Sequence, residues 1–273
     1  MNLVAWGASP WGQPVILHAA WYLLWVSLAA GAAFALVHAL WVRLRRHDDA
    51  GPAISPEAAG RFPARIVRHS LPARLFHWTM AAAMLTLLGT AFLPKLGIRF
   101  DWVGIHTLAG TVLLAAILFH IVHAVCCMDF RSIWPEPSDL AEIKGLGGTA
   151  GQDRSPVRTG KYPLGNKLYH LALVVLGLTM AATGLVLLWR VRTPFLTRDP
   201  YRFLSDGGWG VVYALHGLAG LSLAALVIIH IYFALRPEKR PITRSMLTGT
   251  MDRDYFLGHH DPARWSGRQD STR

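Results

Sequence analysis

Residues 214–235 read ALHGLAGLSLAALVIIHIYFAL, an apolar stretch long enough to cross a bilayer as one helix. Its two histidines, His216 and His230, are fourteen residues apart. On a helix this spacing is a rise of about 21 Å and nearly four full turns, so both rings lie on one face, one near each membrane surface. Ionisable side chains are costly inside a membrane and therefore indicate a functional site. Two histidines at two depths predict two cofactors, one above the other.

The composition is that of a protein that crosses the membrane several times. Hydrophobic residues make up 53% of the chain and charged residues only 16%, against roughly 25% charged in soluble domains. The net charge of +11 lies mainly in loops between apolar runs. Membrane topology explains that pattern, and a nucleic-acid partner is not expected. The only two cysteines, Cys126 and Cys127, are adjacent and too few for an iron–sulfur cluster or a zinc site.

Five apolar runs predict five transmembrane helices, over residues 15–42, 74–93, 102–125, 164–188 and 214–235. The predicted fold is an all-α membrane protein, a four-helix transmembrane bundle plus one additional N-terminal helix. The chain divides into that first helix (1–47), a linker (48–73), the bundle (74–235) and a tail (236–273). Lys and Arg concentrate in residues 43–74, 131–161 and 236–273. By the positive-inside rule the N-terminus lies outside and the C-terminus in the cytoplasm.

The bundle contains an internal repeat. Residues 106–121 read HTLAGTVLLAAILFHI and residues 216–231 read HGLAGLSLAALVIIHI. Both have a glycine, Gly110 or Gly220, four residues after the first histidine and on the same helix face. The preceding helices also start alike, with LFHWTMAAAM at 75–84 and LYHLALVVLG at 168–177. The bundle is therefore interpreted as a duplicated two-helix unit.

The paired histidines and glycines are typical of haem binding. A glycine beside the histidine admits a flat macrocycle, and a haem iron that transfers electrons takes two axial imidazoles. Zinc would need three or four ligands at one depth. At the outer surface His106 and His216 form the predicted pair. Four histidines compete at the inner surface: His77, His120, His170 and His230. The repeat alone favours His120 with His230, and leaves the other two for quinone, propionate or packing.

Several motifs resemble the cytochrome b (gamma) subunit family of respiratory formate dehydrogenases, within the wider bacterial cytochrome b561 and nickel–iron hydrogenase cytochrome b group. The resemblance covers about residues 61–265. It rests on RHSLPARLFHW (68–78), HTLAG (106–110), TGKYPLGNK (159–167), LHGLAG (215–220), IIHIYFAL (228–235) and SMLTGTMDRDYFLGHHDPARW (245–265).

The resemblance implies a four-helix haem-binding bundle with two b haems. It assigns His77 and His230 to the inner haem iron and His106 and His216 to the outer one, while the repeat keeps His120 as a competitor for the inner site. Gly110 and Gly220 pack against haem. The family's quinone site implies roles for Gly165, Asn166 and His170. The family pattern has an asparagine where this chain has Pro163, so one hydrogen-bond donor is missing there.

The implied function is transmembrane electron transfer in the bacterial inner membrane. An iron–sulfur (beta) subunit, joined to a molybdenum- or tungsten-containing catalytic (alpha) subunit, is expected to deliver electrons for menaquinone or ubiquinone. Substrate oxidation is assigned to the partners, because the chain shows neither a catalytic cysteine nor a nucleotide-binding glycine loop. Two alternatives stay open. The same module could serve a nickel–iron hydrogenase or a thiosulfate reductase, or the chain could be a haem-free anchor or transporter.

Overall fold

Long helices dominate the structure, a computed structural model that describes residues 2–44, 57, 60–140, 158–193, 196–199 and 202–265. They are α1 (Leu23–Leu44), α2 (Leu71–Phe92), α3 (Trp102–Cys127), α4 (Leu164–Leu187) and α5 (Asp206–Leu235). Among the described residues, five helical segments are long and apolar enough to cross a membrane, and they contain these helices. The predicted helical membrane fold is confirmed, with two short two-stranded antiparallel sheets added.

The start of the first helix differs from the prediction. Residues 15–19 were expected to be helical, but they belong to strand β2 (Pro14–Ala19), which pairs antiparallel with β1 (Val4–Ala8). Helix α1 begins only at Leu23. A short apolar run does not distinguish a strand from a helix by periodicity, and here the neighbouring β1 supplies the backbone partners. His18 consequently lies in the hairpin, with its Nδ1 2.8 Å from the carbonyl oxygen of Ala19.

Helix α5 begins eight residues before its predicted start, at Asp206 rather than at residue 214. The added turns contain two consecutive glycines, Gly207 and Gly208. Glycine has a low helix propensity, so the sequence does not predict a helix there. Asp206 in the first turn favours the helix, because a carboxylate there opposes the positive end of the helix dipole.

The first of two compact units comprises Met1–Trp41, Met80–Ala115 and Leu173–Tyr232. Its hairpin and α1 both pack against α5. A Cβ added at Gly210 would overlap the carbonyl oxygen of Ile16, so only glycine lets β2 approach α5 this closely. A Cβ at Gly31 of α1 would lie 3.1 Å from both the carbonyl oxygen of Ala225 and the Cβ of Ile228.

The second unit comprises Val42–Thr79, Ala116–Ala172 and Phe233–Arg273. Strands β3 (Arg65–Val67) and β4 (Thr250–Asp252) pair antiparallel. In the chain, β4 lies between α6 (Arg240–Thr248) and α7 (Arg253–His259). Ile66, Met251 and Phe256 form its core and are at most 1% exposed.

The predicted linker and tail are described only in part. Residues 48–56, 58 and 59 of the linker and residues 266–273 of the tail lie outside the described residues. Where it is described, the linker includes strand β3, and α2 already begins at Leu71.

A buried acidic residue organises the second unit. Asp139 is 1% exposed and accepts hydrogen bonds from Lys167 Nζ at 2.8 Å, Arg264 Nη2 at 2.7 Å and the backbone amide of Glu136 at 2.8 Å. Burial alone would raise the pKa of the Asp139 carboxyl, but these donors lower it below its usual value. The carboxylate therefore joins the loop after α3, the first turn of α4 and the C-terminal tail.

Large apolar side chains cover the helix surfaces. Leu108, Val122, Val175 and Leu235 are each more than half exposed. Most of the buried core on α5 consists of smaller or aliphatic side chains such as Ala219 and Leu223. Helices that are apolar on all faces are typical of membrane spans, in which the outward faces contact lipid. The chain is a multi-pass membrane protein.

Candidate haem-binding site

The predicted outer ligands, His106 of α3 and His216 of α5, face each other in the first unit. Their ring centres are 6.3 Å apart and the ring planes are inclined at 64°. Two metal–imidazole bonds of about 2 Å each, plus the distance from each nitrogen to its ring centre, require ring centres roughly 6 Å apart. The spacing of the two rings therefore fits one metal ion between two axial imidazoles.

Each of these histidines is held from behind by a threonine. Nδ1 of His106 lies 2.8 Å from Oγ1 of Thr90 on α2, and Nδ1 of His216 lies 2.8 Å from Oγ1 of Thr183 on α4. Each hydroxyl also contacts a carbonyl of its own helix, Thr86 at 2.8 Å and Thr179 at 2.6 Å.

This geometry sets the tautomer of both rings. A hydroxyl has a single proton to donate. When that proton goes to the helix carbonyl, the hydroxyl oxygen accepts from the histidine Nδ1–H. In this tautomer Nε2 carries the lone pair and can bind a metal. The hydrogen bond that Nδ1–H donates increases the basicity of Nε2. The site is thus built for ligation through two Nε2 atoms, which fits haem.

Sequence reasoning missed both threonines, although a signal was present. Thr90 follows His77 by thirteen residues, and Thr183 follows His170 by thirteen residues. The resemblance between the starts of the two helices therefore continues to the threonines. Only the tertiary structure shows that the repeated threonine on one helix meets the repeated histidine on the next.

Neither of the two predicted glycines is crowded by a neighbouring helix. A Cβ added at Gly110 would have Leu87 Cδ2 as its nearest neighbour, at 3.9 Å, and one added at Gly220 would have Met180 Cε, also at 3.9 Å. These are ordinary contact distances. Both glycines lie one turn after their histidine, so each helix has no side chain at that point of the histidine's face.

The inner histidines fall in different parts of the structure. His230 belongs to the first unit, on the same continuous helix as His216, whereas His77, His120 and His170 belong to the second unit. In that unit the rings of His120 and His170 are 6.4 Å apart, and the ring of His120 stacks on Phe76 at 4.2 Å with an 8° interplanar angle.

His77 has a different environment, because its ring meets the edge of Trp78 at 5.3 Å. The indole of Trp78 donates to the carbonyl of Met246 at 3.1 Å. The motif's tryptophan thus joins α2 to α6. The choice between His77 and His120 as inner ligand stays a prediction.

The predicted quinone residues lie at the start of α4. Gly165 and Asn166 are exposed, and His170 is partly buried one turn further on. The amides of Asn166 and Lys167 donate to the carbonyl of Pro163 at 2.9 and 3.1 Å. Pro163 thus lies immediately before the helix, and its carbonyl accepts the first hydrogen bonds of α4. The roles of Asn166 and His170 in a quinone site stay predictions.

The described ranges contain no site for a metal ion held by three or more protein ligands. They contain no group of three or more His, Cys, Asp or Glu side chains placed to hold a metal ion. Cys126 and Cys127 are free and exposed. A haem iron needs only two protein ligands, because its macrocycle supplies the rest, so the paired histidines are sufficient.

Comparison with known proteins decides the family. A sequence model of prokaryotic cytochrome b561 matches residues 68–249, more than half of the chain. The chain belongs to the prokaryotic cytochrome b561 family. The formate dehydrogenase cytochrome b556 subunit of Haemophilus influenzae is 24% identical over 181 residues, covering 62% of this chain and 71% of that protein.

Family membership supplies the coarse function. The chain is a membrane cytochrome b that binds haem b and transfers electrons, and the predicted family resemblance is confirmed. The match begins at Arg68 and ends at Gly249, so it includes all four helices α2–α5 and excludes the β1–β2 hairpin and α1. These N-terminal elements are additions to the part that the family model matches.

Proposed function

We propose that this chain is the membrane-anchoring cytochrome b subunit of a respiratory formate dehydrogenase. It would hold two b haems and carry electrons from an iron–sulfur partner subunit across the inner membrane to quinone. The observation that supports electron transfer most strongly is the outer pair, in which His106 and His216 stand 6.3 Å apart with both Nδ1 atoms held by threonine hydroxyls. The relationship to the Haemophilus influenzae subunit supports the choice of dehydrogenase.

Four histidines are assigned to the two haem irons. His106 and His216 hold the outer haem, and His77 and His230 hold the inner one, the latter by the family motif. When bound, haem b would supply reversible one-electron chemistry at its iron, which the four histidines would hold. Thr90 and Thr183 orient the outer imidazoles, and the apolar helix surfaces exclude water from the rings.

The spacing along α5 sets the distance that electrons travel. His216 and His230 lie on one unbroken helix, and fourteen residues correspond to about 21 Å along its axis. With the N-terminus outside, electrons would move inward against the usual membrane potential, at about 2.3 kcal/mol per charge per 100 mV. Quinone reduction with protons from the cytoplasm would then conserve energy.

The quinone site is assigned to the segment from Gly165 to His170 at the start of α4. Asn166 is exposed and offers an amide donor, and the His170 ring is partly buried behind it. Lys167 is committed to Asp139, which holds this turn in place. Menaquinone and ubiquinone both carry the carbonyl oxygens that such donors recognise.

The decisive measurement is haem stoichiometry with a reduced-minus-oxidised spectrum of the purified complex. Two b haems per chain are expected in the wild type. His77→Ala and His120→Ala, purified separately, assign the inner ligand: one haem should remain in the first variant and two in the second. Two haems in His77→Ala would contradict the family assignment and favour His120.

The identity of the partner is tested by metal analysis of the complex that co-purifies with the chain. Molybdenum or tungsten together with iron–sulfur clusters supports the formate dehydrogenase assignment. Nickel in stoichiometric amount would instead place the module in a hydrogenase. Formate-dependent reduction of the haem bands, absent with hydrogen as donor, completes the test.

A further inference from the structure

A cluster of cations lies inside the second unit, just before α2. Arg68 is 3% exposed. Its Nη2 donates to the carbonyl of Lys161 at 3.0 Å, and its Nε is buried with no hydrogen-bond partner among the described residues. The third guanidinium nitrogen, Nη1, faces Nε2 of His260 at 3.4 Å.

The partner of Nη1 is a neutral ring. Nδ1 of His260 lies 2.8 Å from the carbonyl of Gly160 and must donate to it, so Nε2 accepts from Arg68. Burial, with repulsion from Arg68, lowers the pKa of His260 to about 4. The Arg68 guanidinium also lies over the rings of Tyr162 and Trp265, 5.8 and 5.3 Å from their centres, which stabilises the cation. None of its contacts, to a carbonyl, a neutral imidazole and two aromatic rings, carries a full negative charge.

Two further cations lie near it. The carbonyl of Gly249 accepts from the amides of Arg68 and His69 at 2.8 and 3.1 Å, and the Arg74 guanidinium carbon lies 3.4 Å from where a Cβ on Gly249 would be. Lys161 is held next to Arg68 through its carbonyl. Arg74 donates to the carbonyl of Leu247, and its Nε is also buried without a partner in the described part of the chain. Lys161 is partly buried, which lowers the pKa of its amine. His69 lies among all three: burial and the charges of Arg68, Lys161, His77 and Arg74 lower the pKa of its ring to about 3. Arg68, Arg74 and Lys161, arranged around His69, are called the cationic pocket below.

No carboxylate neutralises the cationic pocket within the described ranges. The ion pairs recorded there use other cations: Asp139 binds Lys167 and Arg264, Asp252 binds Arg65, Asp254 binds Arg253, and Glu238 binds Arg236. Asp129 attracts Lys161 electrostatically, but no ion pair joins them. A buried cation without a counter-charge is strongly unfavourable, so binding of an anion would stabilise the pocket.

The position of the pocket indicates where the anion comes from. Arg74 precedes His77 by three residues on α2 and therefore shares its helix face, one turn nearer the helix start. His77 is also among the charges that act on His69. Arg74 and Lys161 are partly exposed and can be contacted directly, whereas Arg68 is enclosed behind them.

We infer that the cationic pocket binds the propionate carboxylates of the haem held at His77. Arg74 and Lys161 contact the carboxylates, and Arg68 supplies positive potential from behind. This inference rests on the proposed inner haem. A carboxylate matches the donor geometry of a guanidinium and of an ammonium. A phospholipid phosphate shares this chemistry, and the experiment below separates the two sources.

The test compares haem b with its dimethyl ester, in which both carboxylates are blocked. The purified complex is depleted of haem and reconstituted with each, and occupancy of the inner site is read from its spectrum. The wild type should bind haem b at the inner site at least tenfold more tightly than the ester. In the double variant Arg74→Gln/Lys161→Gln this preference should fall to about onefold. Arg74→Lys and Lys161→Arg, which keep the charge, should restore it.

Redox titration gives a second readout. Removal of nearby positive charge stabilises the ferric form relative to the ferrous form. The double variant should therefore shift the reduction equilibrium of the inner haem about tenfold, which lowers its midpoint potential by about 59 mV for one electron. The outer potential should not change. Arg65→Gln is the matched control: it removes one charge from the neighbouring strand β3, where Arg65 pairs with Asp252 at an exposed site, and should change neither quantity.

Three results would overturn the inference. The first is equal binding of haem b and ester at a wild-type inner site that does take up haem, which leaves the proposed function intact. The second is a preference that survives in the double variant. The third is loss of one tightly bound anionic phospholipid from the double variant with the ester preference unchanged, which would assign the pocket to lipid phosphate. Absence of any inner haem in the wild-type complex would overturn the proposed function itself.

Discussion

At the scale of single residues, the outer site depends on a contact between helices. Thr90 and Thr183 do not reach the metal position, yet they decide which nitrogen of each histidine faces it. The same pattern occurs twice because the two-helix unit is repeated. Asp139 plays a comparable part in the second unit, where one carboxylate neutralises two cations.

Thr90→Val is expected to weaken the outer haem site. The His106 Nδ1–H loses its acceptor, so Nε2 becomes less basic, and haem affinity should fall about ten- to hundredfold. The outer midpoint potential should rise, because a less basic ligand stabilises ferric iron less. Haem retention and redox titration measure both effects, and Thr183→Val should behave in the same way.

Two variants control this experiment. Thr90→Ser keeps the hydroxyl and should retain the wild-type potential. Thr86→Val removes a hydroxyl that bonds only to Ala82 of its own helix and should leave the outer haem unchanged. If Thr86→Val and Thr90→Val shift the potential equally, the threonine contact has no special role.

Asp139→Asn should destabilise the second unit by about 3–5 kcal/mol, since Lys167 would remain buried without a counter-charge. Arg264, which is partly exposed, would keep only its longer pair with Glu136 at 3.5 Å. The expected readouts are a lower midpoint of thermal unfolding and faster proteolysis of the C-terminal tail. Asp252→Asn is the matched control: its pair with Arg65 is more than half exposed on both sides, so the loss should be about 0–1 kcal/mol. Similar losses in both variants would contradict the buried role of Asp139.

At the scale of elements, the N-terminal hairpin and α1 are additions to the four helices that match the family. Both rest on α5 through glycines, Gly210 under β2 and Gly31 of α1. Because α5 carries His216 and His230, α1 packs on the helix that holds one ligand of each proposed haem. A further contact, His38 Nδ1 to the Tyr232 hydroxyl at 2.9 Å, fixes the end of α1 two residues beyond His230.

Gly31→Leu should force α1 away from α5, because even a Cβ at this position would lie 3.1 Å from Ala225 and Ile228. Leu221 belongs to a buried apolar cluster, and Leu28 packs against that cluster. The expected result is loss of disulfide cross-linking between cysteines introduced at these two positions. Gly177→Leu, at a position with no neighbour within 4 Å of an added Cβ, should leave the cross-link intact. A Gly31→Leu protein that cross-links as well as the wild type would show that this packing does not hold α1.

At the scale of the whole molecule, the two units differ in what stabilises them. The first unit combines apolar helices with a polar contact at each outer histidine. The second is rich in buried polar groups: Arg68, Asp139, Lys167 and His260 are all at most 3% exposed. Its stability should therefore depend on pH more strongly than that of an apolar bundle.

Acidification is expected to destabilise the second unit. Burial, reinforced by repulsion from nearby cations, lowers the pKa of His69 to about 3 and that of His260 to about 4. Between pH 6.5 and about 4 the unfolded chain binds more protons than the folded one, so the free energy of unfolding falls as the pH falls. The loss is up to about 1.4 kcal/mol per pH unit and histidine, and above pH 6.5 these groups add no slope.

Thermal unfolding between pH 7 and pH 4.5 measures this slope. His260→Gln keeps a donor and an acceptor and should reduce the slope. His259→Gln changes the exposed neighbouring histidine and should preserve it. A slope that is the same in the wild type and in His260→Gln would contradict the assignment.

Much of the fold could be predicted from the sequence. Helices α2, α3 and α4 begin and end within three residues of the predicted bounds, because a run of about twenty apolar residues has few alternatives to a spanning helix. The prediction was poorer where apolar character did not decide the element. Residues 15–19 form a strand rather than the start of a helix, and α5 includes the glycine-rich turns before residue 214.

By itself, the sequence determined that the chain is a helical membrane protein and that it resembles the cytochromes b, and it predicted that His106 and His216 form a pair. Spacing along a helix carries this information, since residues fourteen apart share a face. Only the tertiary structure decided which side chains lie behind those histidines and that Arg68, Arg74 and Lys161 surround His69. Most of these contacts join different helices or loops, and their geometry comes from packing between elements rather than from periodicity within one element.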